Sequence, residues 1–372
     1  SGPFCEPLDC ILADIWYSCA YKCTLKLVRA AMTTYKAPLR DMQFVMQDLL
    51  NFEKHYQSLP ACNEINQELI DAILGEASKF SEEVVAPLNA IGDETGCEML
   101  ENGEVRTPPG FKEAYQQYVD GGWPSLDQPS RYGGQDLPLS IGMTIREMAG
   151  TANWSWAMYS GLSHGAMETI EAHGSEEQKA IFMEPLVSGR WTGTMCLTEA
   201  HCGTDLGLLK TKAEPAADGT YRVTGSKLFV SSGEHDLAEN IVHIVLARLP
   251  DAPPGTKGIS LFIVPKFVPD EDGSIGERNN VRCGALERKM GIHGNSTCLL
   301  NFDGATGYLV GEENKGLHYM FTFMNFARLG TGLQGLAHSE LAFQNSLAYA
   351  RDRLQMRSLS GPKNPAGPAD PI

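Results

Sequence analysis

Met195-Cys196-Leu197-Thr198-Glu199-Ala200-His201-Cys202-Gly203-Thr204-Asp205 stands just after the point where this chain changes its hydrophobic period. Upstream, from about 40 to 190, apolar residues recur at helical spacing, and Leu39, Met42, Val45, Met46 and Leu49 form one stripe. A second helix is predicted from Asn63 towards Ala86, stopped by Pro87. Further helices are expected near 110–120, 138–152, 154–173 and 176–188, punctuated by Gly121-Gly122-Trp123-Pro124 and Arg131-Tyr132-Gly133-Gly134. Downstream, from about 191 to 310, the period falls to two. Tyr221, Val223 and Gly225 alternate with polar residues after an Ala217-Asp218-Gly219-Thr220 turn. Ile241 to Ala247 and Ile259 to Val264 are short β-branched runs bounded by Pro/Gly clusters, and Thr297 to Phe302 closes the series. After Gly316 helical spacing returns through Leu329, Leu333, Leu336, Phe343, Leu347, Ala350 and Leu354.

These periods predict an α+β chain. A helical domain covers 32–190, a β-barrel-like domain 191–310, and the first part of a C-terminal helical bundle 311–360. The 372 residues suffice for two or three domains, and 42% hydrophobic with 20% charged residues is ordinary globular composition. Thirty basic against 46 acidic residues leave a net charge of −16, which argues against a nucleic-acid scaffold but leaves room for a local basic pocket. No run of about 18 uninterrupted apolar residues occurs, so no spanning helix is predicted.

Four cysteines (Cys5, Cys10, Cys19, Cys23) crowd the start, while Cys62, Cys97, Cys196, Cys202, Cys283 and Cys298 are scattered and make no C-x-x-C pair. That scatter suits a reducing cytoplasm and gives no zinc pattern; His201, His235 and His293 add none, so no metal is expected. Residues 1–31 differ in character from the helical region after them. They are read as upstream translated sequence before a native start at Met32, with an amphipathic anchor as the alternative. Residues 361–372 are a Pro/Gly-rich linker, read as the place where the chain is cut.

Several segments, in order, resemble the FAD-dependent acyl-CoA dehydrogenases. Met195 to Asp205 is similar to the family signature, with Cys202 in place of the usual small residue. Thr224-Gly225-Ser226-Lys227-Leu228-Phe229-Val230-Ser231-Ser232-Gly233 resembles the next strand, and Lys289-Met290-Gly291-Ile292-His293-Gly294-Asn295 the later glycine-rich turn. Tyr349-Ala350-Arg351-Asp352-Arg353-Leu354-Gln355-Met356 resembles the helix ending in a cofactor-contacting arginine, and His173-Gly174-Ser175-Glu176-Glu177-Gln178-Lys179 the helix pair before the β-domain. Tyr35-Lys36-Ala37-Pro38 is similar to the start of the longer branch, which includes 3-methylmercaptopropionyl-CoA dehydrogenases.

The resemblance implies α,β-dehydrogenation of an acyl-CoA thioester by FAD, with acyl-CoA oxidase or a non-catalytic flavin and acyl-CoA binder as alternatives. It implies that Met195, Cys196, Leu197, Thr198, Thr204, Phe229, Val230, Ser231, Arg353 and Gln355 contact the cofactor, the last two across a homo-oligomer. Thr204, Asn325 and Arg328 would contact the substrate, and an electron-transfer flavoprotein would take the electrons. Glu199 and Asp205 are expected to hold the turn. Ala327 stands where some members carry the base, so the base is expected beyond Ile372 and no catalytic residue is assigned; Glu340 is expected to pair within the bundle.

Overall fold

The structure, a computed structural model, describes residues 35–270, 273–353 and 366. Gln355 and the readings of 1–31 and 361–372 as an added start and a cut linker therefore lie outside the described residues, apart from residue 366. The chain divides into a large unit, Ala37–Ala337, and a small one made of Ser1–Lys36 with His338–Ile372.

The large unit begins with helices α1 (Leu39–Gln43), α2 (Phe52–Gln57), α3 (Gln67–Lys79), α4 (Leu88–Thr95), α5 (Phe111–Asp120), α6 (Leu139–Ala152), α7 (Trp154–His173) and α8 (Glu176–Val187). Their starts follow from short polar side chains that satisfy the first free amides. Asn66 accepts from Leu69 N, Asn153 from Trp156 N, and Ser175 with Gln178 makes a capping box. One expectation fails at α1. It runs into a π-helical turn, Phe44–Leu49, whose wider pitch advances the face by a residue. Met42 and Met46 stay buried, but Val45 and Leu49 are exposed, so the five-residue stripe does not all face the core. A second π turn, Phe80–Val85, extends α3 to just before Pro87.

Two small hairpins lie apart from the main sheet. They pair β1 (Glu98–Met99) with β2 (Val105–Arg106), and β8 (Phe267–Pro269) with β9 (Ile275–Arg278). The main sheet has seven strands among the described residues: β3 (Trp191–Cys196), β4 (Lys212–Pro215), β5 (Tyr221–Ser231), β6 (Asn240–Ala247), β7 (Ser260–Pro265), β10 (Val281–Leu286) and β11 (Thr297–Val310). Their order is β3-β6-β7-β11-β5-β4, with β10 also on β11. Only β3 and β6 pair in parallel within it. Ala213 N donates to Arg248 O (2.8 Å) and Arg248 N to Thr211 O (2.9 Å), which joins the start of β4 to the chain after β6. The sheet thus curls into a barrel-like form.

Every residue of β6 and β7 is buried, which accounts for their largely apolar runs, broken inside β6 by His243. Alternate side chains serve two cores. Ile244, Leu246, Leu261 and Ile263 face helices through Met167, Ile170, Phe182 and Leu186. Val245, Ala247, Phe262 and Val264 fill the barrel with Val223, Val230 and Leu300. Helix α7 lies close on β3 because Gly193 has no side chain there: a Cβ would meet Ala166 Cβ at 2.4 Å. Helix α9 (Gly316–Asp352) follows, packing Met320 and Phe323 into the helix-side core, while Leu329, Leu336 and Phe343 are exposed. In the small unit Gln344 exchanges hydrogen bonds with the Lys36 backbone and donates to Glu340 Oε1 at 2.7 Å.

Candidate functional site

One carboxylate fixes the loop after β3. Glu199 Oε1 accepts from Lys227 Nζ (2.9 Å), Thr211 N (3.0 Å) and Thr211 Oγ1 (2.7 Å), while Oε2 accepts from Lys210 N (2.7 Å). The pair is buried, with Lys227 0% and Glu199 6% exposed at the side chain. Burial by itself raises the Glu199 pKa; the Lys227 ammonium and the four hydrogen bonds outweigh it and bring the carboxyl down to about 2. Burial also pushes the Lys227 pKa down, against the pull of Glu199. Lys227 further donates to Leu197 O (3.0 Å), and Leu228 N donates to Thr198 O (2.8 Å), so β5 clamps residues 197–199.

Mutual backbone bonds between Glu199 and Cys202 (2.8 and 3.1 Å) close a tight turn over Ala200-His201, and Asp205 Oδ1 accepts from Gly207 N at 3.1 Å. Glu199, His201 and Cys202 each bring one potential metal-ligand atom within 4.8 Å of the others. The Lys227 ammonium beside Glu199 repels a cation there, and His201 Nε2 is bonded to Leu208 O at 3.0 Å. Sequence reading did not single out Lys227. Its signal is parity, since it shares the inward face of β5 with Val223 and Gly225.

Against β11, Val230 pairs with Cys298 but Lys227 pairs with Leu300, so Leu228 and Phe229 together oppose one residue. This bulge turns Phe229 outward: its φ is +57° and it is 60% exposed, whereas Val230 beside it is buried. A left-handed phenylalanine costs about 1–2 kcal/mol and persists only where its surroundings impose it. Here the Leu228–Thr198 bond does so. The outcome is an aromatic face open to solvent, next to the Thr198 segment and the half-buried Ser231. That combination suits a planar heteroaromatic ligand, with an apolar wall for its face and hydroxyl and amide groups for its edge.

The other expected site residues fall into five groups. Met195 and Leu197 are half-buried against the helix-side core. Cys196 and Val230 point into the barrel core, so they offer only main chain; burial pushes the Cys196 thiol up to about 12. Thr204 is exposed at the loop tip, after Gly203, where a Cβ would come within 3.2 Å of Thr198 Cγ2. On α9, Arg328 Nη1 donates to Asn325 Oδ1 (2.8 Å) and its guanidinium lies 5.3 Å over the Phe321 ring. In the small unit, Arg353 Nη1 donates to Tyr349 Oη at 2.8 Å.

The α9 segment borders a cavity of about 180 Å³ lined by Met143, Trp154, Met158, Phe323, Phe326 and Gly330, among others. Leu162, which lines it, and Met324, next in sequence to its lining residue Phe323, pack on the same core as Met195 and Leu197. The helix-side core therefore packs against both the residues flanking Thr198 and Leu162 of the cavity wall. Gly165 permits the close crossing of α7 and α9, since a Cβ would lie 2.4 Å from the Phe323 ring.

Residues 68–190 match the family model described as acyl-CoA dehydrogenase, N-terminal domain, and residues 194–305 the one described as acyl-CoA dehydrogenase, middle domain. The chain is 45% identical over 335 residues to a 3-methylmercaptopropionyl-CoA dehydrogenase of Ruegeria pomeroyi, covering 90% of this chain and 57% of that one. It is 31% identical to a short-chain-specific acyl-CoA dehydrogenase of Clostridium acetobutylicum, covering 79% of this chain and 70% of that one. A solved acyl-CoA dehydrogenase from Bacillus anthracis, complexed with FAD, superposes with a TM-score of 0.64 at 25% identity, over 80% of this chain and 46% of that one. The chain spans a little over half the length of the Ruegeria relative.

Proposed function

This chain belongs to the acyl-CoA dehydrogenase family, and on that premise we propose that it forms the flavin- and thioester-binding part of an enzyme that converts an acyl-CoA to the trans-2-enoyl-CoA. The observation that carries the reading is Phe229, an exposed aromatic held at φ +57° by a bulge pinned to Thr198. A backbone in that state gains nothing for folding, and an apolar wall for a flat ring accounts for it.

FAD, when bound, supplies the acceptor for the two electrons and hydrogen that leave Cβ. The protein's part is orientation. Main-chain groups of Met195, Cys196, Leu197 and Thr198, the Thr198 hydroxyl and the Phe229–Ser231 segment would hold the ring, and Thr204 the diphosphate side. The Glu199–Lys227 pair keeps that edge rigid without bringing a net charge to it. Thr204, Asn325 and Arg328 would hold the acyl-CoA, with Arg328 suited to an anionic group by its planar fork. We assign no base; Glu340 accepts from Gln344 on its own helix.

Arg353 and Gln355 would reach the cofactor of a neighbouring subunit, which makes the working unit a homo-oligomer. Electrons would pass to an electron-transfer flavoprotein. Among the described residues no helix is long and apolar enough to cross a membrane, and we place the enzyme in the cytoplasm. The test is the absorption spectrum of the complete purified protein, followed by anaerobic addition of a panel of acyl-CoAs. Flavin bleaching by at least one of them is expected. A colourless protein that takes up no added FAD refutes the reading.

A further inference from the structure

We propose that Asp127, Arg146 and His164 form a buried positioning cluster that holds Phe326 as the wall of the acyl cavity and thereby restricts the enzyme to short acyl groups. The inference rests on the dehydrogenase reading above and adds a specificity device to it.

The cluster gathers a loop residue, one from α6 and one from α7. Arg146 and Asp127 make a two-pronged ion pair, Nη1 to Oδ2 at 2.8 Å and Nη2 to Oδ1 at 3.0 Å. The Asp127 side chain is 1% exposed and that of His164 2%. Arg146 Nη2 also lies 2.9 Å from His164 Nδ1. A guanidinium only donates, so Nδ1 must accept, and the imidazole proton sits on Nε2, which faces Glu168 Oε1 at 3.3 Å. Gln128 Nε2 bridges Asp127 Oδ1 (3.1 Å) and His164 Nδ1 (3.0 Å). Helix α6 makes room for the carboxylate at Gly142, where a Cβ would fall 2.0 Å from Asp127 Oδ2.

All of this converges on one ring. Phe326 stacks on the His164 imidazole, with centroids 3.9 Å apart and planes 21° apart, and the Arg146 guanidinium lies 5.5 Å over the same phenylalanine. Arg146 and Phe326 both line the cavity. Phe326 sits between Asn325 and Arg328, the pair proposed to meet the substrate, so its position sets how far an acyl chain runs past them. At about 180 Å³ the cavity is smaller than the roughly 300–1,000 Å³ of sites that take drug-sized ligands.

The complete FAD-loaded enzyme is assayed anaerobically with a dye acceptor over straight-chain acyl-CoAs from butyryl to dodecanoyl. Binding of the matching non-reactive S-alkyl-CoA thioethers is measured by calorimetry. Phe326→Ala is expected to move the optimum to longer chains in both series, with kcat/KM for the longest rising about tenfold, the scale of a methylene or two in an apolar pocket. His164→Ala is expected to shift both profiles the same way. His164→Phe, which keeps a ring under Phe326, is expected to restore the short-chain profile. If Phe326→Ala fails to retain flavin, Phe326→Leu takes its place with a smaller shift. Unchanged length profiles in variants that bind flavin overturn the proposal while leaving the dehydrogenase reading intact. Wild-type protein that binds no acyl-CoA or alkyl-CoA at all overturns both.

Discussion

Replacing Lys227 by methionine leaves Glu199 buried with only the Lys210 and Thr211 donors for company. The fall of the Glu199 pKa from 4.5 to about 2 corresponds to about 3 kcal/mol of preference for the ionised carboxylate in the folded protein. Removing one partner of a buried ion pair typically costs about 3–5 kcal/mol, because the surviving charge has lost its neutralisation. Lys227→Met is therefore expected to lose about 3 kcal/mol at pH 7, measured by urea unfolding followed through tryptophan fluorescence. The sign with pH is determined. The folded-state pKa lies below the unfolded one, so this stabilisation is complete above about pH 4.5 and is lost as the pH falls towards 2. The gap between wild type and variant should narrow over that same interval. Glu199→Gln combined with Lys227→Met removes both charges yet keeps an acceptor for Lys210 and Thr211, so it should be more stable than Lys227→Met alone. A single variant within about 1 kcal/mol of wild type at pH 7, or a double variant no better than the single one, refutes the clamp.

Phe229→Gly is expected to keep or slightly raise thermal stability, because glycine adopts φ +57° freely, while FAD affinity measured by fluorescence titration falls about 3- to 10-fold with the loss of an aromatic contact. Burial, assisted by Lys266, drives the pKa of His243 down to about 3 and that of His235 well below its usual value. Both are therefore neutral in the folded state, and the stability they contribute is complete above about pH 6.5 and lost on acidification. His243 alone accounts for about 2 kcal/mol between pH 7 and 5, and His243→Gln should flatten that slope in unfolding measurements. Gly165→Ala should cost about 1–3 kcal/mol by urea unfolding, since the new methyl must displace the Phe323 ring that lies 2.4 Å from its position.

The helix limits and the whole-strand runs were legible because their causes are local. Asn153 and Ser175 cap the helices that begin next to them, and the largely apolar runs of β6 and β7 announce strands covered on both faces. The loop with Thr198 and the segment with Phe229 were legible as a pair through family resemblance. Their meeting through Leu228 N and Thr198 O was not, because a bulge depends on how two strands register and not on the composition of either. Val45 and Leu49 were misplaced for a related reason. A π turn moves the face of a helix without altering the spacing of its apolar residues.

What this chain carries in its sequence alone is the order of its parts: helices, then a curled sheet, then a long helix, with a recognisable loop at the first boundary. Those are products of short-range periodicity and capping, which act within a few turns. What only the tertiary structure decided is which side chains became partners. Lys227 reaches Glu199 across 28 positions, and Asp127, Arg146 and His164 converge on Phe326 from three separate segments. Burial makes such charges costly unless they are paired, so packing selects their partners once distant segments have been brought together.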